Sequence, residues 1–380
     1  MAATTAVGSI KRHFRSLKDP RVVGRSRHLL VDILVLAICG VIANCDDWAD
    51  IVLFARQRLG WFKRFLKLPN GVPSADTFER VFAKLDARGF ERCCVAWLRA
   101  IADVVGIGHI AIDGKTLCGS AGSKWGPLHL VSAWATEANL TLGQVAVDGK
   151  SNEITAIPLL LELLDLKGAL VSIDAIGCQK AIAKKIVEGG GDFLLAVKGN
   201  QDHLREDVEA TLERALEGKL AEQVVLQHTT QEQGHGRQET RSYVVVHNVK
   251  GIRNRQAWPK LKTVAMCCSE RTNQGETTTE VRYFISSRKI GVRQFAKACR
   301  GHWRIENNLH WQLDISFAED ASRMQQRSSA AFFALLRKMA LCLLKQNPRK
   351  DSIARKRKAA ALDTDFLTEI LAGATKLEKV

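Results

Sequence analysis

Between about residues 106 and 201 the chain alternates short apolar runs with helical patterns, and this alternation constrains the fold more than any other feature. Apolar runs fall at His109–Asp113, Leu128–Thr136, Leu142–Val147, Ala169–Ile173 and Phe193–Val197. Each has the length of a strand rather than of a helix. Helical patterns occupy about Glu153–Leu166 and about Cys178–Glu188, and a polar one begins near Asn200 or Gln201. Apolar strands alternating with helices imply a partly parallel sheet covered on both faces. The expected fold class is therefore α/β.

The order is strand, strand, strand, helix, strand, helix, strand, helix, with the turn Glu137-Ala-Asn139 between the second and third strands. Three antiparallel strands leading into such alternation make the ribonuclease-H-like order. Residues 106–346 are accordingly expected to form a ribonuclease-H-like core. Residues 1–105 read as an N-terminal helical domain, with a strong apolar stretch through Leu29, Leu30, Ile33, Leu34 and Leu36 to Ile38. Ser74, after Pro73, stands where an N-cap would open a further helix. From about residue 223 to 288 the chain reverts to β character at Tyr243–Val246, Thr263–Cys268 and Thr278–Ile285, which reads as an insertion. Helices follow from about Val292 to Gln346. Residues 347–380 read as a basic tail carrying Arg349, Lys350, Arg355, Lys356, Arg357 and Lys358.

Charge narrows the range of partners. Among 380 residues Lys and Arg outnumber Asp and Glu by 56 to 40, a net charge of +16. Such a surplus attracts a polyanion at long range, and nucleic acid is the expected partner. The first 28 residues carry seven Lys or Arg against the single acid Asp19, either as a solvated arm or as one that touches phosphates. No membrane span is expected: the longest apolar stretch, Ile33 to Ala43, has 11 residues, against about 20 needed to cross a bilayer. Lys11, Arg12 and Arg15 interrupt any signal-like apolar core near the start. The ten cysteines lie in apolar runs or as neighbours, without C-x-x-C spacing, and read as reduced thiols of a cytoplasmic protein.

Two acids stand where strand ends would place a ligand site. Asp113 closes one expected central strand and Asp174 another, and open α/β sheets bind ligands at the carboxyl ends of their strands. Turns favour Asp as well, so neither position speaks for itself. A third acid is expected from the late helix Trp303 to Asp314. There Ile305, Leu309 and Leu313 repeat at i+4 as a buried stripe, with Glu306 and His310 along its edge. A surface Glu paired with Arg304 or another basic residue is the alternative for Glu306. Three carboxylates near one another suit a pair of Mg²⁺ ions about 4 Å apart, which take oxygen ligands and keep some waters.

At this point the residues resemble a known family. Asp19-Pro-Arg21, His28-Leu-Leu30, Pro73-Ser-Ala-Asp-Thr-Phe78, Ile112-Asp-Gly-Lys115, Lys150-Ser-Asn-Glu-Ile154, Ile173-Asp-Ala-Ile-Gly-Cys-Gln179 and Lys198-Gly-Asn-Gln201 occur in order. His235-Gly-Arg237, Glu239-Thr-Arg241, the block from His302 to Asp314 and Phe317-Ala-Glu-Asp320 complete the series. Over nearly its whole length the chain resembles the H-repeat-associated, ISAs-type insertion-sequence transposases, a bacterial branch of the DDE transposases. The resemblance implies a ribonuclease-H-like core, an associated N-terminal helical domain, and the triad Asp113, Asp174 and Glu306 as metal ligands for Mg²⁺ or Mn²⁺. It also implies cleavage and joining of DNA strands at the inverted repeats that end a mobile element, by a homodimer, in the bacterial cytoplasm and nucleoid.

Other residues have two readings each. Lys115, Lys198, Arg237, Arg304 and His310 are candidates for DNA contact. Lys115 and Arg304 would serve equally in simple salt bridges, and His310 as a hydrogen-bonded histidine at the core boundary. Glu153 is either an auxiliary acid or a favourable charge at a helix start. Trp303 and Trp311 stack on unpaired bases or pack in the core, and packing is the stronger expectation. Gly149-Lys-Ser151 and Gly114-Lys-Thr116 resemble the tail of a phosphate loop, but Gln144 and His109 stand where its first Gly must be. Two competing functions share most of these features: a nuclease that cuts without joining, and a DNA-binding protein that kept the fold without catalysis.

Overall fold

The computed structural model describes residues 2–22, 24, 26–102, 107–117, 127–147, 153–219, 225–234, 237–273, 275–322, 324 and 326–377. The segment Lys150 to Asn152, the pair His235-Gly236, residue 106 and the Asp-Gly-Lys at 148 lie outside them. The chain divides into two compact units: Met1–Ile107 with Gly114–Asn152 and Ile305–Val380, and Gly108–Asp113 with Glu153–Arg304.

In the second unit the strand order is β1-β4-β5-β9-β8-β7-β6. Here β1 is His109–Leu117, β4 Leu170–Ile173, β5 Asp192–Val197, β6 Val225–Gly234, β7 Arg237–Val246, β8 Thr263–Asn273 and β9 Glu276–Ser286. β1, β4 and β5 run parallel, as their burial on both faces suggests, and β9 joins β5 antiparallel. β9, β8, β7 and β6 then form an antiparallel meander. Helices α7 (Glu153–Glu162), α8 (Lys180–Glu188), α9 (Asp202–Leu216) and α10 (Val292–Ile305) accompany these strands. Successive strand residues point to opposite faces, and β9 shows the result. Phe284 packs on Phe295 of α10 with ring centroids 5.2 Å apart, while the Tyr283 hydroxyl donates to Glu209 of α9 at 2.9 Å.

β6 carries no apolar alternation, so nothing in its sequence marks it as a strand. Among the described residues it pairs on one side only, with β7 from Val225↔Val246 to Gly234↔Arg237, and its outer half is exposed. An edge strand needs one partner and no buried face, which is why its composition is polar.

The first unit is mostly helical: α1 (Ala2–His13), α2 (Leu30–Ile42), α3 (Trp48–Gln57), α4 (Leu59–Phe62), α5 (Ala75–Lys84) and α6 (Ala87–Ala102) precede its strands. Ser74 caps α5, its hydroxyl accepting from the Thr77 amide at 3.3 Å. The hairpin of β2 (Leu128–Ala135) and β3 (Leu140–Val147) turns at Asn139, whose φ of 54° is one that Asn tolerates. After it, among the described residues of this unit, come α11 (Trp311–Phe317), α12 (Arg327–Gln346), α13 (Ile353–Leu362) and α14 (Thr364–Leu377). α12 is buried at nearly every position from Ser329 to Leu344, as a helix apolar on all sides must be. Its one buried lysine, Lys338, donates to Ser132 of β2 at 2.8 Å and to Gln144 of β3 at 2.6 Å. Trp48 lies within 6 Å of Phe78, Phe82 and Phe333.

The residues read as a basic tail are helical, and two of their cations are buried. Arg357 donates to the carbonyls of Val41 and Ser316 and to Asp46, the last at 2.9 Å; Lys356 donates to the carbonyls of Leu344 and Asn347. Among the described residues no helix is long and apolar enough to cross a membrane.

Candidate active site

β1 and β4 are matched residue for residue, from His109↔Leu170 to Ile112↔Ile173. Asp113 and Asp174 each come directly after the last matched pair, so two carboxylates leave adjacent strands side by side. The strands then part ways. β4 ends at Ile173, whereas β1 continues through Asp113 to Leu117 rather than closing at Asp113 as expected from sequence. Its continuation, Gly114–Leu117, lies next to β2, and Thr116 Oγ1 is 2.9 Å from His129 Nδ1. A strand with a hydrogen-bonding neighbour has no reason to turn.

Asp174 caps a 3₁₀ turn, Ala175–Gly177, and its Oδ1 accepts from the Ile176 amide at 3.1 Å. The loop after it is pinned from the turn Gly199–Gln201 that follows β5. Asn200 Nδ2 donates to the Ala175 carbonyl at 2.7 Å and Gln201 Nε2 to the Cys178 carbonyl at 3.1 Å. These contacts give the Lys198-Gly-Asn-Gln201 motif a structural meaning. Gly177 is required by space: a Cβ there would lie 2.3 Å from Ile173 Cγ2. Loss of hydration raises the Asp174 carboxyl above its ordinary value, and the negative charge of Glu153 adds to it. Hydrogen bonds from the Ile176 and Gly177 amides and the charge of Lys198 oppose the shift. Lys198 itself is exposed, as is Arg237 at the hairpin end of β7.

Glu306 begins a π-helical turn, Glu306–His310, between α10 and α11. The stripe Ile305, Leu309 and Leu313 is buried as expected, and Glu306 is exposed. His310 departs from the expected edge position and is 4 % exposed. The extra residue of a π turn rotates the residues after it about the helix axis, carrying His310 toward the Leu309 side. Its Nδ1 donates to Glu306 Oε2 at 3.2 Å. Lys345 Nζ donates to the carbonyl of Asn308 at 2.6 Å, satisfying backbone within the widened turn, and Asn308 Nδ2 donates to Asn139 Oδ1 at 3.2 Å.

The remaining candidates are dispersed. Lys115, 11 % exposed, is held by Asp314, by Glu319 at 3.2 Å and by Asp320 at 3.6 Å. Burial opposes its charge, and Glu319, Asp314 and Asp320 outweigh burial and raise its pKa. Arg304 is exposed. Trp303 and Trp311 are not core residues: they are 48 % and 51 % exposed, and the Arg282 guanidinium lies 4.2 Å from the Trp303 ring centroid. The apolar neighbours that suggested burial belong to the opposite side of the helix.

Sequence reasoning missed Ser172, a hydroxyl inside an otherwise apolar strand two residues before Asp174. Ser172 Oγ lies 2.8 Å from His109 Nε2 and 3.0 Å from His302 Nδ1. A polar residue breaking an apolar run was the available signal, since a buried hydroxyl needs a partner.

Comparison with known proteins identifies the family. Residues 106–343 match the family model described as the transposase DDE domain, and residues 11–98 match the DDE_Tnp_1-associated domain. The chain belongs to the DDE transposase family. Its relatives include proteins named H-repeat-associated transposases. The chain is 37% identical to "H repeat-associated putative transposase YhhI" of Escherichia coli (strain K12), over 96% of this chain and 98% of that one. It is 40% identical to "Putative transposase YncI" of Escherichia coli O157:H7, over 98% and 96% of the two chains. "Uncharacterized protein in dhlA 3'region" of Xanthobacter autotrophicus is 44% identical over 73% of this chain and 94% of its own length.

Proposed function

We propose that this DNA transposase cleaves and rejoins strands at the inverted repeats of its own insertion sequence, using Asp113, Asp174 and Glu306 to hold two Mg²⁺ ions, with Mn²⁺ as a substitute. The observation that carries the reading is the matched register of β1 and β4, which sets Asp113 beside Asp174. The helix that leads into Glu306 starts in the same compact unit as the two aspartates. The strand orders β3-β2-β1 and β1-β4-β5 support a ribonuclease-H-like core, preceded by an N-terminal helical domain.

The donor set fits a hard divalent cation. All three proposed ligands are carboxylates, as Mg²⁺ prefers. Lost hydration and, next, the charge of Glu153 raise the Asp174 carboxyl, and a bound cation would favour its ionised form. When bound, the ions lower the pKa of an attacking water or DNA 3′-hydroxyl and stabilise the leaving oxygen. The chain's own residues position them. Asp174 commits Oδ1 to the Ile176 amide and presents its other oxygen, while His310 Nδ1 holds one oxygen of Glu306. Double-stranded DNA, as element ends and target, is the partner, and the excess of 16 positive charges draws it in. Lys198, Arg237 and Arg304 are exposed, which supports their reading as phosphate contacts. A homodimer in the bacterial cytoplasm, associated with the nucleoid when on DNA, completes the reading.

The test is a plasmid carrying the DNA that flanks the gene, incubated with purified protein and Mg²⁺ or Mn²⁺, wild type beside Glu306→Gln. Metal-dependent cuts and joined strands from the wild type alone are the expected result. Cuts without joined products would make the chain a nuclease. Specific binding without cuts would move it to the DNA-binding class.

A further inference from the structure

Ser172 joins three elements by one hydroxyl. Its Oγ touches His109 at the head of β1 and His302 near the end of α10, while Ser172 itself lies on β4. His109 is 8 % and Ser172 3 % exposed, so the bond between them is shielded from competing water, while the bond to the half-buried His302 is partly so. A hydroxyl has a single proton. Ser172 can therefore donate to at most one imidazole, so at least one of the two histidines donates an N–H to it, and turning His109 would cost its buried ring nitrogen this partner. Burial pushes His109 down to about 3, with the charges of His302, Lys297 and Arg288 adding to the effect, so its ring is neutral at pH 7.

The bridge lies on the face that carries the acids. Residues two and four apart on a strand share a face. His109, Ala111 and Asp113 point one way from β1. Leu170, Ser172 and Asp174 point the same way from β4, since Ala111 is matched with Ser172. That face is covered by α10, whose Phe295, Ala298 and Cys299 share an apolar cluster with Leu170. His302 lies three residues after Cys299 on the same helix, and Glu306 four residues after His302.

We infer that Ser172, bridged to His109 and His302, is a positioning residue that locks β1, β4 and α10 together and thereby sets the affinity of the carboxylate site for divalent metal. The inference rests on the proposed reading of Asp113, Asp174 and Glu306 as ligands. Groups that orient metal ligands from behind commonly contribute 10- to 100-fold to metal affinity or activity, about the range expected here.

The experiment is calorimetric titration of the full-length protein with Mn²⁺ in the absence of DNA, with thermal unfolding run on the same samples. Ser172→Ala and His302→Leu are expected to weaken Mn²⁺ binding about 10- to 100-fold. His302→Asn, which keeps a polar atom near the place of Nδ1, is expected to retain most of the affinity. The double variant Ser172→Ala/His302→Leu should bind no more weakly than either single one, because all three break the same bridge. If Ser172→Ala and His302→Leu lower the melting temperature while Mn²⁺ affinity stays at the wild-type value, the bridge is structural alone and the inference fails. Asp174→Asn and Glu306→Gln serve as controls. Undiminished Mn²⁺ binding in both overturns the metal-site reading and this inference with it, whereas lost binding there with wild-type binding in Ser172→Ala overturns the inference alone.

Discussion

Asp113 and Asp174 occupy equivalent positions on two adjacent parallel strands, each one residue beyond the matched pair Ile112 and Ile173. Parallel pairing sets both side chains on one face of the sheet, so two acids far apart in sequence become neighbours without any special loop. The same pairing makes their exchange for neutral amides informative, because Asn keeps the size and the hydrogen-bonding oxygen.

Asp113→Asn, Asp174→Asn and Glu306→Gln are each expected to slow strand cleavage by about 1000-fold or more, equivalent to about 4 kcal/mol of lost transition-state stabilisation. Gel-shift affinity for the element ends should change by no more than about threefold, since phosphate contacts elsewhere hold the DNA. Single-turnover cleavage measured beside binding decides it. A variant that cuts at the wild-type rate removes its residue from the ligand set.

As a proposed metal ligand, Asp174 would link metal binding to pH. Its folded carboxyl titrates above the ordinary value because of lost hydration and, next, Glu153. As pH rises through the carboxylate range the unfolded state therefore loses its proton first, and ionisation in the folded state costs stability that persists at neutral pH. Asp174→Asn should raise the melting temperature of the metal-free protein at pH 7, with a gain that shrinks as pH falls below the carboxylate range. Added Mn²⁺ should stabilise the wild type more than the variant. Equal melting curves at pH 7 would contradict the electrostatic account.

The net charge of +16 predicts a steep dependence of DNA affinity on salt. Between about 50 and about 200 mM salt the dissociation constant should rise about 1000-fold or more if six or more phosphates are contacted. Fluorescence anisotropy over that range measures the slope, and a flat response would sink the role given to the basic surface.

Gly177→Ala forces a Cβ to within 2.3 Å of Ile173 Cγ2, directly behind Asp174. Overpacking of this kind costs about 1–3 kcal/mol. Because Ile173 and Asp174 must shift to admit it, cleavage should fall along with stability. Urea unfolding combined with the plasmid assay separates the two effects.

Arg357→Ala leaves the carbonyls of Val41 and Ser316 without the donor that serves them and removes the ion pair with Asp46. A loss of about 3 kcal/mol is expected from the unpaired buried carbonyls. Arg355→Ala, on an exposed position of the same helix, should change stability by less than about 0.5 kcal/mol. Comparable unfolding midpoints for the two variants would show that Arg357 is not a structural cation.

Much of the site could be read from residues whose environment is imposed locally. The apolar run before Asp174, the i+4 stripe of Ile305, Leu309 and Leu313, and the cap at Ser74 all depend on neighbours within a few positions, and each took the form expected. β6 could not be read, because a polar edge strand is defined by its partner rather than by its own pattern. His310 could not be placed, because the π turn that buries it is stabilised by Lys345, 35 residues further on.

The sequence by itself determined the elements, their α/β alternation, the basic charge and the family, since periodicity, strand length and motif order are properties of short stretches of chain. Only the tertiary structure decided which side chains meet. Lys356 and Arg357 look like a basic tail in sequence, yet both are buried against carbonyls of other segments. Lys115 looks like a phosphate contact, yet three acids about 200 positions away surround it. Ser172 looks like a minor flaw in a strand until His109 and His302 arrive from two other elements. The physical reason is common to all three. A polar or charged group is assigned its role by the partner that compensates for its lost hydration, and that partner is chosen by packing over the whole chain.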